Sequence, residues 1–122
     1  MQLVSIIITC FNSEETIERA VYSAISQSWS KKEIIVVDDC SSDGSYAILQ
    51  KIAKKEKNFT LLKHQKNLGY PAALNTAIRK SKGEFIAIFD DDDTNSNNRI
   101  DSQVNKIINY EKRFKDVLIL CY

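Results

Sequence analysis

Glu33-Ile34-Ile35-Val36-Val37-Asp38-Asp39-Cys40-Ser41-Ser42-Asp43-Gly44-Ser45 passes from four unbroken apolar residues to two carboxylates and then to a turn of small polar residues. A strand with one wet face alternates apolar and polar positions. This run does not alternate, so it predicts a strand buried on both faces, as in a parallel sheet covered by helices. Ser5-Ile6-Ile7-Ile8 and Phe85-Ile86-Ala87-Ile88-Phe89 read the same way. The predicted strands are therefore Val4–Thr9, Glu33–Asp38, Thr60–His64, Phe85–Phe89 and Val117–Tyr122.

Helical spacing fills the gaps. Ile17, Ala20, Val21, Ala24 and Ile25 recur on one helical face, and Asn12 with Glu15 three residues on has the form of a capping box at its start. Ala47, Ile48, Leu49 and Ile52 mark a second helix after the 40–45 turn. Ala73, Leu74, Ala77 and Ile78 mark a third, entered from the loop Asn67–Pro71 and expected to stop at Gly83. Ile100, Val104, Ile107 and Ile108 mark a fourth. Strands alternating with helices define an α/β class. Right-handed crossovers then gather the β-to-α loops at one sheet edge, where open α/β sheets bind ligands. The loops expected there are Cys10–Ser13, Asp38–Ser45, Gln65–Pro71 and Asp90–Asn98.

Composition narrows the classes. With 122 residues, 43% hydrophobic and 27% charged, the chain is one globular domain or part of one. A net charge of +1 gives no bulk attraction to nucleic acid or anionic lipid, and the lysines between Lys51 and Lys66 read as a solvated face. No apolar run approaches the ~20 residues of a membrane span. The N-terminus lacks the basic leader and cleavage site of a signal peptide. Cys10, Cys40 and Cys121 are odd in number and have no metal-ligand spacing, which reads as a reduced, cytoplasmic chain. That setting makes the sequon at Asn58 idle.

Phe89-Asp90-Asp91-Asp92-Asp93-Thr94 carries the strongest chemical signal. Four carboxylates at the end of a buried strand repel one another, and a divalent cation offsets that repulsion through oxygen ligands. The plainer reading is a solvated acidic turn, but the strand-end position favours a cation. Asp38 and Asp39 either close their strand and open its turn or present a carboxylate to a ligand N–H. Phe11 either stacks on a planar ligand or fills a gap between helix and sheet. Gly69 marks a turn or a close backbone approach. His64, with no Cys or His at ligand spacing, reads as structural. Neither glycine-rich phosphate motif occurs, which disfavours dinucleotide oxidoreductases and P-loop NTPases.

In order and spacing these segments resemble the nucleotide-sugar-binding half of the family 2 glycosyltransferases, inverting enzymes with the GT-A fold. The resemblance runs from about Val4 to Arg113. It rests on Val4–Ser13, Ala24–Trp29, Glu33–Ser45, Asn67–Asn75, Lys82–Asp93 and Asn98–Ile100. It implies a three-layer Rossmann-like (GT-A) domain with a mostly parallel sheet. It also implies transfer of a sugar, with inversion, from a UDP-sugar to the hydroxyl of a carbohydrate or lipid-linked acceptor. By the same resemblance Thr9 and Phe11 line the nucleobase pocket, and Asp39 accepts the uracil N3–H. Asp92, with Asp90, ligates Mn²⁺ or Mg²⁺ on the diphosphate, and Asp90 or Asp91 holds the ribose hydroxyls. The cation would neutralise charge on the departing diphosphate. Gly69 belongs to the substrate-binding set. No nucleic-acid partner is implied. Peripheral membrane association is left to regions this sequence lacks.

Two departures stand out. Leu74 occupies a position where the family often has Arg, and the 94–97 loop is more polar than usual. The general base and acceptor site are expected beyond Tyr122, so the sequence reads as the donor and metal half of a truncated or cropped enzyme. Two rivals use the same residues. Asp90-x-Asp92-x-Thr94 matches the nucleophile motif of haloacid-dehalogenase-like phosphohydrolases, with Asp90 as nucleophile. That motif normally ends the first strand of its domain. Asp38-Asp39 is similar to the acidic pair of receiver domains, but a whole βα unit precedes it here. A calcium EF-hand lacks its glycine and its helices.

Overall fold

The computed structural model describes residues 2–113. Four strands alternate with four helices: β1 (Val4–Cys10), α1 (Ile17–Ile25), β2 (Lys32–Asp38), α2 (Ser45–Lys55), β3 (Phe59–Lys63), α3 (Tyr70–Lys80), β4 (Phe85–Phe89) and α4 (Arg99–Arg113). The strands form one sheet in the order β3-β2-β1-β4, and every pairing is parallel. Among the described residues the α/β expectation and its four strands stand. The fifth expected strand, Val117–Tyr122, lies outside them. No helix among the described residues is long and apolar enough to cross a membrane.

The unbroken apolar strands have the burial their pattern implies. Successive side chains in a strand face opposite sides of the sheet. Val4, Ile6 and Ile8 of β1 and Ile34 and Val36 of β2 pack with Ile17, Val21, Leu49, Ile100 and Val104, from α1, α2 and α4. Ile7, Ile35 and Val37 point the other way, onto Ala73 and Ala77 of α3. Among the described residues, three helices thus contribute to the core on one face and α3 alone to that on the other. The small residues at 73 and 77 let α3 approach β1 and β2 closely.

The chain runs β1, β2, β3 in one direction and then places β4 on the far side of β1. The strand order therefore reverses between β1 and β4, and such reversals open a crevice at the carboxyl ends of the strands. Register puts Ile8 opposite Phe89 and Cys10 opposite Asp38. Thr9 shares the α3 side with Ile7. The same period of two carries Asp39 beyond Val37 and Asp90 beyond Ile86 onto that side.

Three local expectations are corrected. Asn12 does not cap α1: the helix starts at Ile17 after Thr16, without a side-chain cap bond. Asn12 instead adopts φ 49°, a left-handed conformation that Asn tolerates. Its Oδ1 accepts the Ser42 amide at 2.8 Å, tying the first βα loop to the second. Helix α3 starts inside the segment expected to be loop, at Tyr70, because Pro71 suits a first turn where no amide donor is needed. It also ends at Lys80 rather than at Gly83. Gly83 serves packing instead: a Cβ there would lie 2.5 Å from Ser5 Oγ and 2.6 Å from the Ser5 amide nitrogen.

Candidate functional site

A cleft of about 510 Å³ opens at the carboxyl edge. Thr9, Phe11, Asp39 and Gly69 line it together with Asp90, Asp91 and Asp92. The seven residues assigned to the site from the sequence thus meet in one place, Thr9 from the end of β1 and the other six from the four loops that follow the strands. Phe11 is 46% exposed, so its ring stands at the cleft rather than filling a gap in the core. Asn67 and Tyr70 complete the wall beside Gly69 and were not singled out, although both lie in a quoted segment. Tyr70 is half-exposed and offers a second aromatic surface. Leu74 does not reach the cleft lining; it packs on the α3 core, which accounts for an apolar residue there.

The four aspartates divide into two roles. The Asp91 carboxylate accepts the Phe11 amide at 3.2 Å and the Ser13 hydroxyl. Its carbonyl accepts the Thr16 hydroxyl at 2.9 Å. Asp91 therefore binds the acidic loop to the first βα loop and fixes the backbone beneath Phe11. Asp90, Asp92 and Asp93 remain at the surface, each able to place a carboxylate oxygen within 4.8 Å of the others. Burial, Asp93 and the charges of Asp92 and Asp91 raise the Asp90 carboxyl above the usual carboxylate range. Three converging hard oxygens carrying that repulsion suit a hard divalent cation. Asp93 joins Asp90 and Asp92 as a candidate ligand that the sequence reading had not chosen; the unbroken run was its only signal.

The acidic loop is held from behind. Arg99 stacks its guanidinium 4.3 Å from the Phe89 ring centroid and donates to the Ile88 carbonyl and to Asn95 Oδ1. Gln27 is buried at the end of α1. Its Nε2 donates to the Ser96 carbonyl at 2.7 Å, and its Oε1 accepts the Ile100 amide at 3.0 Å. One side chain thus satisfies an otherwise orphaned amide in the first turn of α4 and anchors the loop before it.

Asp38 and Asp39 also separate. Asp38 is fully buried and closes on its own turn, accepting the Ser41 hydroxyl at 2.6 Å and the Ser41 amide at 3.1 Å. The Asp39 carboxylate spans to the third βα loop. Oδ1 accepts the Leu68 amide at 3.0 Å and faces His64 Nδ1 at 2.7 Å; Oδ2 accepts the Gly69 amide at 2.9 Å. Burial alone would raise this carboxyl, but the two amides and His64 outweigh it and hold it below the usual carboxylate range. Gly69 has φ 93°, which favours glycine and aims two consecutive amides at one carboxylate. Cys10 also lines the cleft, but burial pushes its thiol up to about 12, so it is no nucleophile at neutral pH.

The sequence model described as Glycosyl transferase family 2 matches residues 5–117. The chain belongs to that family. A UDP-Glc:α-D-GlcNAc-diphosphoundecaprenol β-1,3-glucosyltransferase of Escherichia coli, WfaP, is 38% identical over 105 residues, 86% of this chain and 41% of the relative. The putative teichuronic acid biosynthesis glycosyltransferase TuaG of Bacillus subtilis is 34% identical over 102 residues, 84% of this chain and 40% of its own length. Among solved structures, S. aureus TarS 1-349 in complex with UDP superposes with a TM-score of 0.79 at 30% identity, over 88% of this chain and 32% of that one. The mannosyltransferase PcManGT of Pyrobaculum calidifontis, in complex with GDP-Man and Mn²⁺, gives 0.76 at 28% identity, over 87% and 31%. The chain spans less than half the length of these relatives. The phosphohydrolase and receiver readings find no support in these matches.

Proposed function

We propose that this chain is the donor-binding half of a glycosyltransferase that moves a sugar, with inversion, from a UDP-sugar to an acceptor hydroxyl. The carrying observation is that one cleft unites Asp39, the aromatic Phe11 and the acidic loop. In this reading Thr9 and Phe11 flank the base, and Asp39 accepts the uracil N3–H. Asp90 or Asp91 meets the ribose hydroxyls. Asp92 and Asp90, with Asp93 beside them, would hold Mn²⁺ or Mg²⁺. When bound, the cation supplies positive charge against the diphosphate that departs as the sugar is transferred.

The residues of the chain bind and orient. A carboxylate kept ionised at neutral pH is an acceptor only, so Asp39 suits a ring N–H and opposes a ring nitrogen lone pair. Asp91 and Gln27 keep the acidic loop against β1 and α4, so that the donor is held in a fixed place. The general base and the acceptor, a carbohydrate or lipid-linked hydroxyl, belong to the part of the enzyme beyond this half. A cytoplasmic setting, peripheral contact with a membrane through other regions and a role in polysaccharide synthesis complete the proposal. Support comes from TarS, solved with UDP, and PcManGT, solved with Mn²⁺. Calorimetric titration of UDP with and without Mn²⁺ tests it: binding should require the cation, and silence in both arms would overturn the reading.

A further inference from the structure

We propose that His64, backed by Thr76, is a positioning residue for uridine recognition, holding the Asp39 carboxylate in the orientation that discriminates one pyrimidine from another. This rests on the donor-binding reading above. His64 is buried at the end of β3, with its amide on the Asp38 carbonyl at 2.9 Å. Its ring lies between two partners: Nδ1 is 2.7 Å from Asp39 Oδ1, and Nε2 is 2.8 Å from Thr76 Oγ1 on α3. An ionised carboxylate only accepts, so Nδ1 carries a hydrogen. In the neutral ring Nε2 then accepts the Thr76 hydroxyl proton. In the protonated ring Nε2 donates instead, and the Thr76 hydroxyl turns to the Ala72 carbonyl, 3.0 Å away. Both forms are fully satisfied, and Nδ1–H points at Asp39 in each. The ring is therefore a permanent donor to that carboxylate.

The acceptor count gives this a consequence. A carboxylate has about four acceptor positions. The Leu68 amide and His64 fill two on Oδ1, and the Gly69 amide fills one on Oδ2. One position on Oδ2 remains for a ligand on a residue that lines the cleft. With His64 removed, two acceptor positions are open, the carboxylate can rotate between them, and the demand for a ring N–H weakens.

The test measures affinities for uridine diphosphate and cytidine diphosphate, each with Mn²⁺, on the full chain. Uracil N3 donates where cytosine N3 accepts, so the ratio of the two affinities reads the orientation of Asp39, whereas a merely structural loss lowers both together. His64→Ala should reduce the ratio at least tenfold and leave the Mn²⁺ affinity unchanged. His64→Asn, whose amide nitrogen replaces Nδ1, should restore most of it. If His64→Ala does not fold, Thr76→Val decides, with a threefold or greater drop in the ratio expected. A wild-type chain that binds neither nucleotide defeats the donor-binding reading, and this inference with it. A wild-type chain that prefers the uridine nucleotide, with variants that keep the preference, overturns only the role of His64.

Discussion

Asp90 shows how one carboxylate can be a liability to the fold and an asset to the site. It follows a fully buried strand end, and Asp91, Asp92 and Asp93 follow it directly. Without a cation, its charge costs stability. Asp90→Asn should therefore raise the melting temperature in chelator and remove the increment that Mn²⁺ gives the wild-type chain; a variant no more stable in chelator would show that the repulsion is solvated away. Asp39 behaves in the opposite sense. Its folded carboxyl sits below the unfolded value of about 3.9. Its contribution is thus present above that value and lost as pH falls through the folded one. Asp39→Asn lacks the contribution at every pH. The gap in melting temperature between wild type and Asp39→Asn should therefore be widest near neutrality and close below about pH 4. At neutrality the substitution leaves a buried amide facing another donor, which costs about 1–3 kcal/mol. Gly83→Ala belongs to the same scale. The added methyl would lie under 3.0 Å from backbone atoms of Leu3 and Ser5, which must then shift, so urea unfolding should report a loss of about 1–3 kcal/mol.

At the scale of elements, Gln27 joins α1, the acidic loop and α4 through a single side chain. Gln27→Ala strands the buried Ile100 amide and frees the Ser96 carbonyl, so chemical denaturation should show a loss of about 1–3 kcal/mol. A neutral result would mean that water enters and replaces the amide. This contact also marks the boundary of what the sequence discloses. The strands were legible because their apolar runs are continuous and both faces of β1 and β2 are indeed covered. The helices were legible from their spacing. The Asn12–Glu15 pattern misled because a cap is a local motif, while Asn12 is claimed by Ser42, thirty residues away, through a backbone turn that sequence does not encode locally. Gln27, His64 and Asp91 share that character. Each acts through a partner 25 or more residues distant, and nothing in its own neighbourhood of sequence announces the contact. Strand ends in a parallel sheet are different. Topology alone sends them to one edge, so Thr9, Asp39 and Asp90 could be placed together before any side chain was seen.

For the whole molecule, the consequence of that topology is coupling between two ligands that touch different strands. The uracil would rest on the carboxyl ends of β1, β2 and β3 and the loops after them, and the cation on the loop after β4; the ribose and the diphosphate would bridge them. Asp91 ties the β4 loop to the β1 loop in advance, so little rearrangement is needed when both are present. Each ligand should then raise the affinity for the other by the same factor, since coupling between bound ligands is reciprocal. Saturating both at about a hundred times the dissociation constant of the nucleotide adds about 2.7 kcal/mol. For a domain of this size that corresponds to a rise in melting temperature of about 10 °C. UDP alone and Mn²⁺ alone should together give far less than the pair. Asp92→Asn should reduce the pair to the sum of its parts. Equal shifts for UDP with and without Mn²⁺ would mean that the acidic loop and the base pocket are independent, and that the carboxylates gathered at this edge serve something other than a diphosphate.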